Sequence, residues 1–145
     1  MKRWIALFGI LILMLSAASC GQVDELILVA DDVLSPVAIY SMAENVVQEP
    51  AKYDGKKVQA EGMAYYSPDL PSGYAVRISD STACCYVDLE YTLPEGTKQP
   101  EDQSYFQIFG TFKTYQTQDG STAIRIEGTR VIYEDELREM YETEE

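Results

Sequence analysis

Apolar and polar residues alternate along most of the chain after residue 57, in runs separated by segments rich in Gly, Pro, Ser and Asp. Alternation is typical of a strand with one buried face, because successive side chains of a strand point to opposite sides of the sheet. The pattern therefore predicts a mainly β domain. Its five predicted strands cover residues 57–65, 74–80, 84–91, 105–115 and 121–133.

The segments between the predicted strands carry turn and loop signals. Residues 67–73 and 93–104 are polar and rich in Pro and Gly, which predicts surface connections. The dipeptide Asp119-Gly120 predicts a hairpin turn. Gly62 lies inside the first strand and predicts a bulge or sharp bend that lets one long strand serve two sides of a barrel. Five strands with a long connection between the third and fourth predict a small closed barrel.

The start of the barrel domain, which spans residues 35–133, shows a different pattern. Residues 35–40 combine a turn start with β-branched residues and predict a first short strand. Ser41 then predicts the N-cap of a short helix, with Glu44 as its capping-box partner. The helix is expected to end before Pro50, because a residue that precedes proline is driven out of the α region. A short helix therefore precedes the five strands of the barrel.

The N-terminus has the features of an export signal. Lys2 and Arg3 form a basic start, an apolar run follows, and small residues precede Cys20. Residues 1–19 therefore resemble the signal peptide of bacterial lipoproteins, which implies removal of this leader and attachment of lipid to Cys20. The protein would then be held at the cell membrane, on its extracytoplasmic face. A plain secretory signal and an N-terminal anchor helix are the alternatives.

Two further segments flank the barrel. Residues 20–34 predict a tether between the lipid and the domain, with some local helix. Residues 134–145 are short and very acidic, which predicts a fraying helix or a disordered tail.

Charge and composition exclude several functions. The chain has 24 acidic and 11 basic residues and a net charge of −13. Two of the basic residues leave with the leader, so the mature domain is still more acidic and would repel nucleic acid. The sequence has no histidine, which removes the commonest metal ligand and the usual general base near neutral pH. The leading prediction is therefore a protein with no catalytic residue, no metal ligand and no cofactor.

A resemblance covers residues 35–133. The order Y-D-G-K-K-V-Q-A-E-G at residues 53–62, then Cys84-Cys85, then I-F-G-T-F at residues 108–112 is similar to small bacterial OB-fold proteins, many of them lipoproteins. These proteins resemble the anticodon-binding-like barrels. The resemblance implies a five-stranded OB-fold-like barrel that binds its ligand across the second and third strands and the loops beside them. It brings no enzymatic activity with it.

That expected binding surface is rich in tyrosine. The candidate ligand-binding residues are Tyr74, Arg77, Tyr86 and Tyr91. The tyrosines among them could form a stacking surface together with Tyr65 and Tyr66. The alternative is that these tyrosines pack half buried in the strands, where tyrosine is favoured.

The adjacent Cys84 and Cys85 are the most unusual local feature. Neighbouring residues of a strand point to opposite faces, so one cysteine is expected in the core and the other near solvent. Cys84 and Cys85 are also candidates for a vicinal disulfide, a redox pair or two soft-metal ligands. The nearby Asp80, Asp88 and Glu90 are expected to form a solvated acidic face.

These observations together predict a lipid-anchored extracytoplasmic binding module without catalytic activity. Its partner is the membrane, through lipid on Cys20, and a ligand that is a protein, a glycan or a small molecule. A thiol-redox or metal-handling envelope protein that uses Cys84 and Cys85 is the alternative. A purely structural spacer is a third possibility.

Overall fold

The structure, a computed structural model, describes residues 25–29 and 34–142. The predicted leader, Cys20, most of the tether and the last three residues lie outside the described residues. The elements in chain order are β1 (Glu25–Leu28), α1 (Pro36–Gln48), α2 (Pro50–Tyr53), β2 (Lys57–Tyr66), β3 (Tyr74–Ser79), β4 (Tyr86–Thr92), β5 (Tyr105–Gln116), β6 (Thr122–Tyr133) and α3 (Glu134–Glu142).

The five predicted strands form a closed barrel. Their order is β2-β3-β4-β6-β5, and pairing of β5 with β2 closes the circle. The β4–β6 pair is parallel and the other barrel pairs are antiparallel. The fold is therefore mainly β, an OB-fold-like five-stranded mixed barrel with α1 before its strands, as the sequence predicted.

Residues 25–28 form a strand where the sequence analysis expected a tether with some helix. β1 runs parallel to β2, and Glu25 to Leu28 lie beside Lys57 to Ala60. β3 pairs only with the second half of β2, from Met63 to Tyr66. The first half of β2 would have an unpaired edge on that side, and β1 covers it, which satisfies the backbone groups of that edge.

The helix begins earlier than predicted, and residues 35–40 do not form a strand. Ser35 is the N-cap: its hydroxyl accepts a hydrogen bond from the backbone N–H of Ala38 at 3.3 Å, and Pro36 follows at the first helical position. The helix ends before Pro50, as predicted. The predicted strand and the Ser41 cap were wrong because the apolar residues have helical spacing. The buried ones are Ile39, Ala43 and Val46.

Gly62 allows β2 and β3 to approach each other closely, and it does not form the predicted bulge. Pairing of β2 with β5 continues without a register shift through Gly62. A Cβ atom there would lie 2.5 Å from the carbonyl oxygen of Arg77 on β3. The register shift of the barrel lies between Phe109 and Gly110, in the β5–β6 pair. Gly62 therefore lets β3 reach β2 at the point where β2 exchanges one neighbour for another.

The barrel interior is a continuous apolar core closed at one end by α1. Its largest fully buried side chains include Tyr91, Phe106 and Phe112. The acidic tail is helical over α3 and buries Leu137, so the helical alternative for this segment is the one observed. No helix within the described part of the chain is long and apolar enough to cross a membrane.

Candidate functional site

Arg77 lies at the centre of the outer face of β2, β3 and β4. Pairing of β3 with β4 places Arg77 directly opposite Asp88. The guanidinium donates two parallel hydrogen bonds to this carboxylate, from Nε to Oδ1 at 2.7 Å and from Nη2 to Oδ2 at 2.8 Å. The hydrogen bonds to Asp88 raise the pKa of Arg77 above its usual value. This two-bond geometry holds the guanidinium in one orientation.

Two tyrosine rings enclose the guanidinium of Arg77. The ring centroid of Tyr65 on β2 lies 3.6 Å from the guanidinium carbon, and that of Tyr86 on β4 lies 3.8 Å from it. Arginine favours such stacking because its planar cation is attracted to aromatic faces and is weakly hydrated. Tyr86 is 55% exposed, so much of its ring surface remains accessible to a ligand.

A row of outward side chains crosses four strands at this point. The strand registers place Tyr105 beside Met63, Met63 beside Arg77, and Arg77 beside Asp88. Met63, Arg77 and the exposed Tyr105 also line a cavity of about 390 Å³. We refer to this surface as the Arg77 face; its residues are Met63, Tyr65, Arg77, Tyr86, Asp88 and Tyr105.

The predicted ligand-binding residues Tyr74, Arg77, Tyr86 and Tyr91 do not share one surface. Tyr91 is fully buried with Leu89 in the core, and desolvation raises the pKa of its phenol. Tyr74 is half buried, with its ring centroid 6.1 Å from that of Tyr91. Alternate residues of β4 face opposite sides, so Tyr86 points outward and Tyr91 inward. Tyr91 is therefore a core residue and not a surface contact for a ligand.

The carboxylates Asp80, Asp88 and Glu90 do not form the expected solvated acidic face. Glu90 is almost fully buried. Its Oε1 accepts a hydrogen bond from the backbone N–H of Ser72 at 2.8 Å, and its Oε2 accepts one from the hydroxyl of Tyr115. Burial and the hydrogen bond to Glu90 raise the pKa of Tyr115 to about 12. Glu90 is thus a partnered structural group beside the Arg77 face.

Cys84 and Cys85 lie in the turn between β3 and β4, because β4 begins only at Tyr86. Both thiols are exposed and free, with their sulfur atoms 3.5 Å apart. The prediction of one buried cysteine was therefore wrong. Asp80 organises the turn: its Oδ1 accepts hydrogen bonds from the backbone N–H groups of Thr82 and Cys84, both at 3.1 Å. This arrangement is a short carboxylate-anchored loop.

The electrostatics of this loop disfavour a reactive thiolate. The hydrogen bond with Cys84 and the charge of Cys84 raise the pKa of the Cys85 thiol, and desolvation, Asp80 and Glu44 raise it further. Desolvation opposes ionisation of Asp80, but hydrogen bonds from Thr82 and Cys84 hold its pKa below the usual value. Nucleophilic cysteines have lowered pKa values. The redox use of Cys84 and Cys85 stays a prediction.

Sequence reasoning missed how the Arg77 face is assembled. Tyr105, Met63 and Asp88 come from three different strands, and only the strand registers bring them beside Arg77. The available signal was the outward position of each residue in its own strand pattern. Tyr65 was noted as a possible stacking residue in a surface with Tyr74 and Tyr91, but its partner in the structure is Arg77.

Comparisons with known proteins show only distant likeness. No model of a known protein family matches the sequence, and no curated protein sequence matches it. An asparaginyl-tRNA synthetase from Pyrococcus horikoshii, complexed with asparaginyl-adenylate, shares 16% identity at a TM-score of 0.39, over 57% of this chain and 20% of the synthetase. The chain therefore spans about a fifth of the synthetase.

Two other solved structures show likeness of the same order. An OBody bound to hen egg-white lysozyme shares 16% identity at a TM-score of 0.37, over 56% of this chain and 83% of the OBody. A DUF3299 family protein from Pseudomonas aeruginosa shares 18% identity at a TM-score of 0.34, over 78% of this chain and 97% of that protein. By its own strand order, the chain is an OB-fold-like five-stranded barrel.

Proposed function

We propose that the protein is a non-catalytic binding module that takes a partner protein on the Arg77 face. The observation that carries this proposal is the enclosure of Arg77 between Tyr65 and Tyr86 while Asp88 holds its guanidinium. Tyr, Arg and Met are enriched in protein interfaces, and Tyr and Arg dominate their hot spots. A rigid aromatic and arginine cluster loses little side-chain entropy when a partner binds it.

The composition of the face favours a protein over the other ligand classes. Its charged pair, Arg77 and Asp88, is mutually neutralised, so the six residues of the face offer no free cation for a polyanion. Tyr86 and Tyr105 are exposed aromatic groups on either side of that pair. Aromatic groups around a satisfied polar pair resemble the centre of a protein interface. Binding of a glycan or a small molecule to the Arg77 face would contradict this proposal.

Site-specific photo-crosslinking in the cells that make the protein tests the face. A photoreactive phenylalanine analogue replaces Tyr86 or Tyr105 in the full chain, and Tyr66 serves as the matched control. Tyr66 is a tyrosine of nearly equal exposure, 54% against 55% for Tyr86. It follows Tyr65 on β2 and therefore points to the other side of that strand.

We expect one protein to be captured from positions 86 and 105 and not from position 66. Capture of the same proteins from all three positions would contradict a specific face. Adducts at positions 86 and 105 that lack the mass of a protein would contradict a protein partner and indicate a glycan or small-molecule ligand. Loss of capture in an Asp88→Asn variant would connect binding to the orientation of Arg77.

We also propose that the module is anchored by lipid on Cys20, facing outward from the cell membrane. The support is the basic start, the apolar run and the small residues that precede Cys20. Intact mass spectrometry of protein extracted from membranes tests this. We expect a chain that begins at Cys20 and carries lipid, and a Cys20→Ser variant that keeps its leader. An unlipidated chain with any other N-terminus would contradict the proposal.

A further inference from the structure

The turn between β3 and β4 brings three potential metal ligands together. The sulfur atoms of Cys84 and Cys85 are 3.5 Å apart, and Asp80 Oδ2 lies 3.5 Å from the sulfur of Cys84. All three ligand atoms lie within 4.8 Å of one another. A cation about 2.3 Å from each of two sulfurs, with an angle of about 110–120° between the two bonds, needs the sulfurs roughly 3.8–4.0 Å apart. The two thiols are therefore already close to the separation that chelation requires.

The backbone of the turn holds these groups in place. The N–H of Asp80 donates to the carbonyl oxygen of Cys85 at 3.0 Å and closes the turn. Asp80 Oδ1 accepts from the backbone N–H groups of Thr82 and Cys84. Its Oδ2 accepts from the hydroxyl of Thr82 at 3.0 Å and from the sulfur of Cys84 at 3.5 Å. Both cysteines are exposed, so an ion can reach the sulfurs without opening the barrel.

The surroundings of the turn favour a cation. Glu44 on α1 is close enough to interact electrostatically with Cys85 and with Tyr40. Asp80 therefore places one carboxylate beside the thiols, and the charge of Glu44 acts on Cys85 from α1. The negative charge of the two carboxylates attracts a positive ion to the sulfurs.

We propose that Asp80, Cys84 and Cys85 form a binding site for a soft, thiophilic metal cation of the Cu(I) class. Thiolate ligands select Cu(I), and two sulfurs with one carboxylate fall short of the four ligands of a structural zinc site. Binding forms two metal–sulfur bonds and releases the two thiol protons to solvent, so no oxidant or reductant is consumed. Asp80 holds the turn and lies beside the ion. The site shares no residue with the Arg77 face but borders it, because Asp80 lines the same cavity as Met63 and Arg77.

The test is competition for Cu(I) against a chromophoric chelator under anaerobic conditions. The full chain carries Cys20→Ser and is kept reduced in detergent, so Cys84 and Cys85 are its only thiols. We expect one equivalent of Cu(I) to be retained per chain, with ultraviolet copper–thiolate absorption and protection of both cysteines from alkylation. Zn²⁺ offered in the same way is expected to be lost on desalting.

The chain offers matched controls for each ligand. Cys84→Ser and Cys85→Ser each abolish retention, and both positions are exposed, so the fold tolerates the change. Asp80→Asn weakens the apparent affinity about 10-fold, as expected for a group that supports the ligands. Asp119→Asn is the control for loop disruption, because Asp119 organises the β5–β6 turn through Ser121 in a similar way. We expect Asp119→Asn to leave the retention of Cu(I) unchanged.

Results of three kinds would overturn the site. The first is retention of Cu(I) by the double variant Cys84→Ser/Cys85→Ser. The second is retention of half an equivalent together with dimer formation, which would place the ion between chains. The third is release of Cu(I) to the chelator by the reduced parent chain, or retention of Zn²⁺ in preference to Cu(I).

Discussion

Arg77 and Asp88 face each other across β3 and β4 and share two hydrogen bonds in a position largely shielded from solvent. Their side chains are 17% and 23% exposed, whereas those of the surface pair Lys98 and Glu101 are 75% and 82% exposed. Exposed ion pairs contribute little because water screens them and both side chains lose freedom. We expect the shielded pair to contribute more to the free energy of unfolding. It also fixes the orientation of the guanidinium between the rings of Tyr65 and Tyr86.

Replacement of Asp88 by Asn tests this role. Asn keeps the size of the side chain but leaves the shielded guanidinium of Arg77 without a charged partner. We expect the free energy of unfolding to fall by about 1–3 kcal/mol, the range for hydrogen bonds to charged groups. Glu101→Gln removes the exposed ion pair and is expected to change the free energy of unfolding by less than about 0.5 kcal/mol. Urea unfolding measures both, and equal effects would refute the distinction.

Two glycines in the strands are required for close packing and not for backbone flexibility. A Cβ at Gly62 would meet the carbonyl oxygen of Arg77 at 2.5 Å, and one at Gly110 would meet that of Glu127 at 2.4 Å. We expect Gly62→Ala and Gly110→Ala each to cost about 3 kcal/mol, the upper end of the usual range for overpacking, because the methyl group would meet backbone atoms.

Gly96 provides the comparison for these two substitutions. It has a positive φ of +83°, and a Cβ at this position would meet no atom of the described residues within 4 Å. Gly96→Ala is expected to cost only about 1–2 kcal/mol through backbone strain. Thermal and urea unfolding of the three variants rank the costs. A larger loss at Gly96 than at Gly62 would show that the strands can separate to admit a methyl group.

The barrel strands could be predicted from the sequence because each carries its own alternating pattern. β2 follows the expected burial closely, with Val58, Ala60 and Ala64 inside. The elements before the barrel could not be predicted in the same way. β1 has only four residues, and the free edge of β2 is what makes it a strand. Residues 36–40 read as β-branched, but the Ser35 cap and the core contact of Ile39 place them in α1.

The candidate sites depended on information that a single strand pattern lacks. Arg77 and Tyr86 were predicted as surface residues of neighbouring strands, and the structure brings them together. Tyr91 was assigned to the same surface as Tyr86, and this was wrong because Tyr91 lies five positions after Tyr86 in one strand. Alternation along β4 therefore places Tyr91 inside when Tyr86 points outward. The Asp80 loop was missed because hydrogen bonds within a turn leave no periodic signal.

Removal of the Tyr91 hydroxyl and removal of the Tyr115 hydroxyl are expected to have different effects on the stability of the fold. The hydroxyl of Tyr91 is buried without a hydrogen-bond partner among the described residues, whereas that of Tyr115 donates to the buried carboxylate of Glu90. Tyr91→Phe removes an uncompensated polar group, so stability stays unchanged or rises by up to about 1 kcal/mol. Tyr115→Phe takes a donor from Glu90 and lowers stability by about 1.5–3 kcal/mol. Urea unfolding at neutral pH decides, and a clear loss in Tyr91→Phe would contradict the buried, unpaired hydroxyl.

The raised pKa of Tyr115 predicts a loss of stability at alkaline pH. The phenol has a pKa of about 12 in the folded barrel and about 10 in the unfolded chain, because burial and the hydrogen bond to Glu90 oppose its ionisation. Below about pH 10 both states keep the proton and the contribution is fully present. Between about pH 10 and 12 the unfolded chain releases its proton first, so the contribution falls as pH rises.

The measurement is the difference in unfolding free energy between the parent chain and Tyr115→Phe, because the other tyrosines titrate in both and cancel. We expect this difference to be constant up to about pH 10 and to shrink above it. Glu90→Gln keeps an acceptor for Tyr115 but removes the negative charge that also raises the pKa. In that variant the absorbance of tyrosinate is expected to develop at lower pH. A difference that stays constant through the alkaline range would show that the Tyr115 phenol ionises equally in both states.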